Sequence, residues 1–280
     1  MRLGGSIVGS FATPREWEAL LVKSRFKAVT APFDCHTPRE AIAEYMDIVR
    51  RHDVVISEIG IWKNLFDPDP DAARANMTFA QDQLALADEW GVPCCVNIVG
   101  TASDKGWDAA DRSNFSAETY DRVVASIREV IDAVDPKRSF YCIEPMPWMV
   151  PDDPDVYLQL IRDVDRRQFA AHMDFVNMIC SPRRFLNAEG FIEECFRKLA
   201  PYIKSTHIKD ITMPPTRLTT VLVETRPGLG ELDYGAVLRT LARWLPEDAP
   251  VLLEHMDSAE DYRAAYDYVK EIADREGIPV

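Results

Sequence analysis

The sequence predicts one α/β domain, a (β/α)8 TIM barrel that spans residues 1–280. Short apolar runs rich in β-branched residues alternate with amphipathic runs of helical period, and this alternation is typical of a parallel sheet. Eight such pairs can be counted, and 280 residues is close to the size of one closed barrel. No stretch rich in Pro, Gly and Ser divides the chain, so we do not expect a second domain.

The predicted strands are continuous apolar stretches, as expected for strands that are buried on both faces. They lie at residues 3–8, 28–32, 54–59, 94–98, 140–144, 170–174, 203–208 and 250–254. A doubly wound open sheet is the alternative. Gly4 and Gly5 lie within the first predicted strand and Gly9 directly follows it, however, and the three lack the G-x-G-x-x-G spacing of a dinucleotide-binding turn.

Four helix starts carry an N-cap signal. Thr13 and Thr37 each precede a proline and are followed three residues later by a glutamate, while Ser116 and Ser258 precede two later helices. The other helices are predicted at about 70–90, 154–164, 188–200 and 233–245, and those after the two serines at 116–134 and 258–275. Long loops at 62–70, 100–115, 175–187 and 209–230 are expected on the catalytic face.

The chain carries 46 acidic and 32 basic side chains, which gives a formal net charge of −14. Nucleic acids and anionic membranes attract basic surfaces, so neither is an expected partner. No uncharged apolar run approaches the ~18 residues of a membrane span, and the first residues lack a secretion signal. The six cysteines form no C-x-x-C pair. We therefore expect a cytoplasmic protein that acts on a small molecule.

Four consecutive predicted strands, the fifth to the eighth, end in Glu144, Asp174, His207 and Glu254. In such a barrel the catalytic residues come from these strand ends. A single acidic strand end is often a helix cap or an ion-pair partner, but three unpaired buried carboxylates side by side would cost several kcal/mol each. A divalent cation removes this cost, and three oxygens with one imidazole suit Mn²⁺ first, with Mg²⁺ or Co²⁺ as alternatives.

Residues beside these four are candidates for contacts with a substrate. Lys209 and Asp210 follow the histidine and are expected to hold substrate oxygens, or else to form an ion pair at the rim. His255 follows Glu254 and is a candidate base, although the period of two along a strand predicts that it points to the other face. His172 is expected to be a hydrogen-bonded histidine inside the barrel.

Further candidates lie at other strand ends and in the rim loops. Asn97 and Glu58 are expected to bind sugar hydroxyls. The loops place aromatic and basic side chains at the rim, namely Trp62, Trp107, Trp148, Arg183, Arg184, Arg217 and Arg226. The tryptophans suit a sugar face or an aromatic aglycone, with packing of the loops themselves as an equal alternative.

The four strand-end ligands resemble those of the xylose-isomerase-like barrel superfamily, which includes sugar isomerases, ketose 3-epimerases, inosose dehydratases and family-2 apurinic endonucleases. Residues 226–234 are similar to the P-G-x-G-x-[IL]-D-[YF] turn of that superfamily. The chain is identified as a member over essentially its whole length. The endonucleases carry more ligands and a basic DNA-binding face, and the net charge of −14 argues against them.

Two groups within the superfamily are similar at the ligands. In ketose 3-epimerases the resemblance implies that Glu144 and Glu254 lie on opposite faces of the sugar and exchange the C3 proton. Asn177 and Ser205, however, stand where those enzymes usually carry histidines. Residues 144–149, 174–184 and 207–211 resemble the large catalytic subunits of bacterial C-glycoside deglycosidases more closely.

That closer resemblance implies a small β-rich partner subunit and a 3-oxo-glycoside substrate. It predicts removal of a proton beside the carbonyl by Glu144, Glu254 or His255, followed by elimination at C1. Asn177, Trp148 and Arg226 are then expected to contact the substrate. A ketose or keto-sugar epimerase or isomerase with the same metal is the alternative function, and a non-catalytic sugar-binding barrel is a third. We also expect an oligomer.

Overall fold

The computed structural model describes residues 1–216 and 218–280, so Arg217, one of the expected rim arginines, lies outside the described residues. The described residues form ten strands in chain order: β1 (Arg2–Gly5), β2 (Ala28–Thr30), β3 (Val55–Gly60), β4 (Cys94–Asn97), β5 (Phe140–Ile143), β6 (Phe169–Asp174), β7 (Ile203–Ile208), β8 (Asp210–Thr212), β9 (Val223–Thr225) and β10 (Pro250–Leu253). Eight of them close a parallel barrel in the order β1-β10-β7-β6-β5-β4-β3-β2. The eight predicted strands and the barrel are confirmed.

The helices surround the barrel. They are α1 (Pro14–Ser24), α2 (Arg39–Arg51), α3 (Pro70–Trp90), α4 (Ala117–Val134), α5 (Pro154–Val164), α6 (Phe175–Met178), α7 (Pro182–Phe185), α8 (Ala188–Leu199), α9 (Tyr234–Trp244) and α10 (Ala259–Glu276). All predicted helices are present, while the one-turn helices α6 and α7 are additional. Among the described residues, no helix is both long and apolar enough to cross a membrane.

The helix caps agree with prediction at three of the four sites. Thr13, Ser116 and Ser258 each accept a hydrogen bond from a backbone N–H in the first turn of their helix. The cap predicted at Thr37 is wrong. Its hydroxyl is held in a turn, where it accepts from the Asp34 backbone N–H and donates to the Asp34 carboxylate. Helix α2 therefore begins without a side-chain cap.

Two irregularities in strand register shape the barrel interior. Between β2 and β3 the pairing passes from Val29–Ile56 to Thr30–Glu58, so Ser57 is an extra residue on β3. Between β6 and β7 an equivalent shift leaves Lys204 without a partner. Such bulges change the direction of neighbouring side chains. Here the hydroxyl oxygens of Ser57 and Ser205 lie 2.8 Å apart inside the barrel.

Strands β8 and β9 form a separate antiparallel ribbon. The ribbon belongs to the long segment between β7 and α9, which was expected to be a loop on the catalytic face. It was not predicted, because each strand has only three residues. Its position matters for the site, since residues of this segment line the cavity described below.

Candidate metal centre

The structure brings together the four ligands expected from the sequence. Glu144 follows β5, Asp174 ends β6, His207 lies in β7 and Glu254 follows β10. One possible ligand atom from each lies within 4.8 Å of the others. Because the carboxyl ends of parallel barrel strands meet at one rim, side chains far apart in the sequence converge at this point.

The unpaired atoms of this cluster fit a divalent cation. His207 Nδ1 lies 3.0 Å from Glu254 Oε1 and 3.4 Å from Glu144 Oε1. Both His207 Nδ1 and Glu144 Oε1 are buried without a hydrogen-bond partner among the described residues. Buried polar atoms normally have partners, and carboxylate oxygens with an imidazole nitrogen are the donors that Mn²⁺ and similar ions accept. The donor set therefore fits the expected metal.

Lys209 is buried beside two of these ligands. Its Nζ lies 2.8 Å from Asp174 Oδ2, 2.8 Å from Glu254 Oε2 and 3.2 Å from Glu224 Oε2. Burial alone would lower the pKa of Lys209, but the surrounding carboxylates outweigh burial and raise it. Lys209 therefore forms its ion pairs in the interior with these carboxylates, and not at the rim with Asp210.

Asp174 has an unusual environment for a carboxylate. It is fully buried, and its Oδ1 accepts a hydrogen bond of 3.0 Å from the backbone N–H of Asn177. Burial is the largest influence on this group and raises the pKa of Asp174 to about 6, although Lys209 acts in the opposite direction. Glu144 and Glu254 add to the rise through charge repulsion.

His207 is held from its other side by a buried glutamate. Its Nε2 donates to Glu58 Oε1 over 3.0 Å, and His172 Nε2 donates to Glu58 Oε2 over the same distance. His172 is thus the hydrogen-bonded interior histidine that was expected. Burial alone would raise the pKa of Glu58, but the two imidazoles outweigh burial and lower it well below the usual range.

Asp210, expected to contact substrate, is engaged with the backbone. Its carboxylate accepts hydrogen bonds from the N–H groups of Ile211, Gly228 and Leu232. A side chain at Gly230 would collide with this carboxylate, so a glycine is required there. Asp210 fixes the segment between the ribbon and α9.

Two further residues that were expected to contact the substrate are bound to other protein groups and do not face the cavity. The Asn97 side chain accepts a hydrogen bond from the Lys63 N–H and donates to the Lys63 carbonyl. Arg226 Nε lies 3.6 Å from Asp261 Oδ1. Within the described part of the chain, neither Asn97 nor Arg226 is among the residues that line the large cavity.

A cavity of about 1210 Å³ opens above the candidate metal ligands. Its wall contains Trp62, Trp107 and Trp148 together with Asn177. Trp148 is half-buried and its indole N–H donates to the carbonyl of Asp108 over 2.7 Å. Trp148 and Asn177 therefore lie where they could contact a substrate in the cavity, as expected. The cavity wall is rich in aromatic surface.

The direction predicted for His255 is wrong. Strand β10 ends at Leu253, and His255 has a left-handed backbone with φ of 56°, so the period of two no longer applies. Its ring instead lines the cavity, with Nδ1 2.8 Å from Glu224 Oε1 and Nε2 3.3 Å from Glu254 Oε1. The hydrogen bond with Glu224 raises the pKa of His255.

A sequence model of the xylose isomerase-like TIM barrel matches residues 20–272. The chain belongs to this family. No curated protein matches the sequence.

Solved structures of similar fold cover almost the whole chain. A xylose isomerase-like TIM barrel protein from Mycobacterium smegmatis in complex with magnesium is 16% identical with a TM-score of 0.69, over 98% of this chain and 97% of that one. D-psicose 3-epimerase with D-tagatose from Clostridium cellulolyticum H10 and 3-keto-D-glucoside 4-epimerase from E. coli are each 14% identical with TM-scores of 0.69, over 97% of this chain and 99% of theirs. At these identities the similarity is one of fold.

Glu224, an acidic residue of the site, was not identified in the sequence analysis. Glu224 lies on β9 and reaches Lys209 and His255. The apolar run 221–223 was the available signal for a strand there, but a three-residue strand carries no clear period. Glu58 was considered, but as a ligand of sugar hydroxyls and not as a partner of two histidines.

Proposed function

We propose that this protein is a divalent-metal-dependent enzyme that moves a proton at the carbon next to a sugar carbonyl, acting as an epimerase or isomerase. The observation that carries the proposal is the position of Glu144 and Glu254, which both lie beside His207 Nδ1 at the floor of the cavity. Two carboxylates near one reacting carbon are what removal and return of a proton require.

When bound, a divalent cation supplies Lewis-acid stabilisation of the negative charge that develops on neighbouring sugar oxygens. Glu144, Asp174, His207 and Glu254 would hold it, and Mn²⁺ is the ion we favour for this donor set. Lys209 holds one oxygen each of Asp174 and Glu254.

In the proposed reaction, one of the two glutamates removes the proton and the other returns it from the opposite face. Glu254 Oε2 accepts a hydrogen bond from Lys209 Nζ over 2.8 Å, whereas Glu144 Oε1 has no hydrogen-bond partner among the described residues. We therefore assign the first proton removal to Glu144. Support also comes from the solved epimerases of the same fold, whose named substrates are ketoses and a 3-keto-glucoside.

Elimination at C1 of a 3-oxo-glycoside is the second candidate, and it begins with the same removal of a proton. The cavity favours it, because about 1210 Å³ is far more than a single hexose fills and the wall carries three tryptophans. His255 lies within the same cavity and would protonate the leaving group. A small β-rich partner subunit belongs to this candidate only.

Incubation in D₂O separates these reactions. With Mn²⁺ and a free ketose, the epimerase predicts deuterium at the carbon next to the carbonyl, detected by NMR, and formation of the epimer. With an aryl 3-oxo-glycoside, the elimination predicts release of the aglycone instead. If neither deuterium incorporation nor aglycone release occurs with the metal-loaded protein, the proposed function is wrong, and sugar binding without catalysis becomes the better explanation.

We further propose a cytoplasmic oligomer. All six cysteines are free in the structure, which is consistent with a reducing compartment. Sedimentation of the purified chain tests the oligomer, and co-purification from its source tests the partner subunit. A monomer at micromolar concentration would contradict the first inference.

A further inference from the structure

Glu58 is a buried carboxylate that the proposed reaction does not use. Glu58 is 1% exposed. It contacts Nε2 of the candidate ligand His207, on the opposite side of the ring from the nitrogen that faces the ligand cluster. We propose that Glu58 is the positioning residue of His207, which fixes both the direction of its ring and the nitrogen that remains free for metal. The inference rests on the metal centre of the proposed function.

The hydrogen bond between the two residues determines the tautomer. An ionised carboxylate can only accept hydrogen bonds, so at 3.0 Å the proton must be on His207 Nε2. In the neutral ring required of a metal ligand, Nδ1 then carries the lone pair. Nδ1 is the atom that lies 3.0 Å from Glu254 Oε1 and 3.4 Å from Glu144 Oε1. Glu58 thereby directs the lone pair into the ligand cluster.

The other oxygen of Glu58 is locked in place. Glu58 Oε2 accepts from Ser205 Oγ over 2.6 Å and from His172 Nε2 over 3.0 Å. Since the Ser205 proton is used in this way, Ser57 must donate to Ser205, at 2.8 Å. The rings of His172 and His207 also meet edge to face, with centroids 4.1 Å apart.

The bulges in the barrel make this arrangement possible. Ser57, the extra residue on β3, immediately precedes Glu58, and Lys204, the extra residue on β7, immediately precedes Ser205. Burial of a carboxylate is costly unless its oxygens are satisfied, and here three donors satisfy it. A carboxylate on the far nitrogen of a metal-binding histidine typically contributes about 10–100-fold to metal affinity.

Glu58→Gln is the direct test, because a glutamine has the same shape but only one acceptor oxygen. It cannot accept from His172, Ser205 and His207 together. We expect the Kd for Mn²⁺, measured by isothermal titration calorimetry, to increase by about 10–100-fold. Ser205→Ala removes one donor to Oε2 but leaves the bond to His207, and its effect should be below about threefold.

Glu231→Gln is the matched control, since Glu231 is an exposed glutamate outside the cavity whose partners are Thr212 and the Met213 N–H. Its Kd for Mn²⁺ should equal that of the wild type. Circular dichroism of the metal-free proteins shows whether each variant is folded. A folded Glu58→Gln variant with wild-type Mn²⁺ affinity overturns the proposal, and so does an equal loss in Ser205→Ala.

A measurement on the wild type keeps the proposal testable if Glu58→Gln does not fold. In the Zn²⁺-loaded protein, ¹H–¹⁵N spectra of the imidazole rings should show His207 protonated at Nε2, with slow exchange of that proton. Protonation at Nδ1 would overturn the proposal. A wild-type protein that binds no divalent cation would instead overturn the metal centre, and with it the proposed function.

Discussion

The ammonium group of Lys209 lies 2.8 Å from Asp174 Oδ2, and both side chains are almost completely buried. A buried cation next to metal ligands is an internal counter-ion, because it partly neutralises carboxylates that would otherwise repel each other. We therefore expect the metal-free protein to be folded. The same contact also holds one oxygen of Asp174 in a fixed direction.

Replacement of Lys209 by Met removes this counter-ion. We expect Lys209→Met to lower the free energy of unfolding of the metal-free protein by about 3–5 kcal/mol, because the carboxylates it contacts stay buried without compensation. Mn²⁺ should restore part of the loss. Chemical denaturation with and without Mn²⁺ measures both effects. Lys270→Met is the control, since Lys270 pairs with Asp274 at the surface and should contribute less than about 1 kcal/mol.

Substitution of the proposed acid–base residue should separate activity from stability. Glu144→Gln keeps the shape of the side chain but cannot accept a proton, so we expect kcat to fall by about 10²–10⁴-fold. The melting temperature of the metal-free protein should change little, because Glu144 Oε1 forms no hydrogen bond with the described residues. Turnover close to that of the wild type would contradict the assignment.

Mn²⁺ binding should depend on pH through Asp174. The pKa of Asp174 is raised to about 6 in the metal-free protein, and a cation requires the deprotonated carboxylate. Below about pH 6 a proton on Asp174 competes with the metal. Burial lowers the pKa of His207, but the charges of Glu254 and Glu58 outweigh burial and raise it, so a proton on His207 competes as well and affinity should rise with increasing pH. Calorimetry between about pH 5 and pH 7 tests this, and an affinity independent of pH would exclude the competition.

The ribbon supplies Glu224, whose carboxylate lies 2.8 Å from His255 Nδ1. Glu224→Gln should weaken the orientation of His255 and lower kcat. The Kd for Mn²⁺ should change by less than about threefold, because Glu224 contacts Lys209 and His255 and, unlike Glu58, none of the four candidate ligands. Glu231→Gln, in the same chain segment but outside the cavity, is the control. Equal losses of kcat in both variants would indicate disturbance of the segment rather than of His255.

Trp148 provides a test between the two candidate reactions. Loss of its aromatic face in Trp148→Ala should raise KM for an aryl 3-oxo-glycoside by about 2–12-fold, which corresponds to about 0.5–1.5 kcal/mol for an aromatic contact. KM for a free ketose, which has no aromatic group, should change less. Equal changes for both substrates would indicate that the tryptophan supports the cavity wall and does not contact an aglycone.

The barrel and the convergence of its four candidate ligands were predictable from the sequence for one physical reason. Strands buried on both faces are continuous apolar runs, so Glu144, Asp174 and Glu254 stand out where those runs end. In a parallel barrel all such ends meet at one rim, and the convergence follows without knowledge of side-chain packing.

The residues around the ligands could not be predicted in the same way. The role of Glu58 depends on a bulge at Ser57, and the insertion of one residue leaves no mark in an apolar strand pattern. His255 turns towards the cavity because its backbone is left-handed, a conformation that is uncommon in residues other than glycine. Asp210 looked like a rim carboxylate, but backbone N–H groups that come close only in the folded chain occupy it.

The acidic lining of the cavity bears on which sugars could reach the proposed metal site. Its wall and floor carry the carboxylates of Asp34, Asp108, Glu144, Glu224 and Glu254. A phosphorylated sugar would bring a further charge of about −1.5 to −2 into this field and would lose hydration there. An uncharged sugar or glycoside has neither disadvantage. The protein should therefore discriminate against sugar phosphates by electrostatic repulsion, without any residue dedicated to their exclusion.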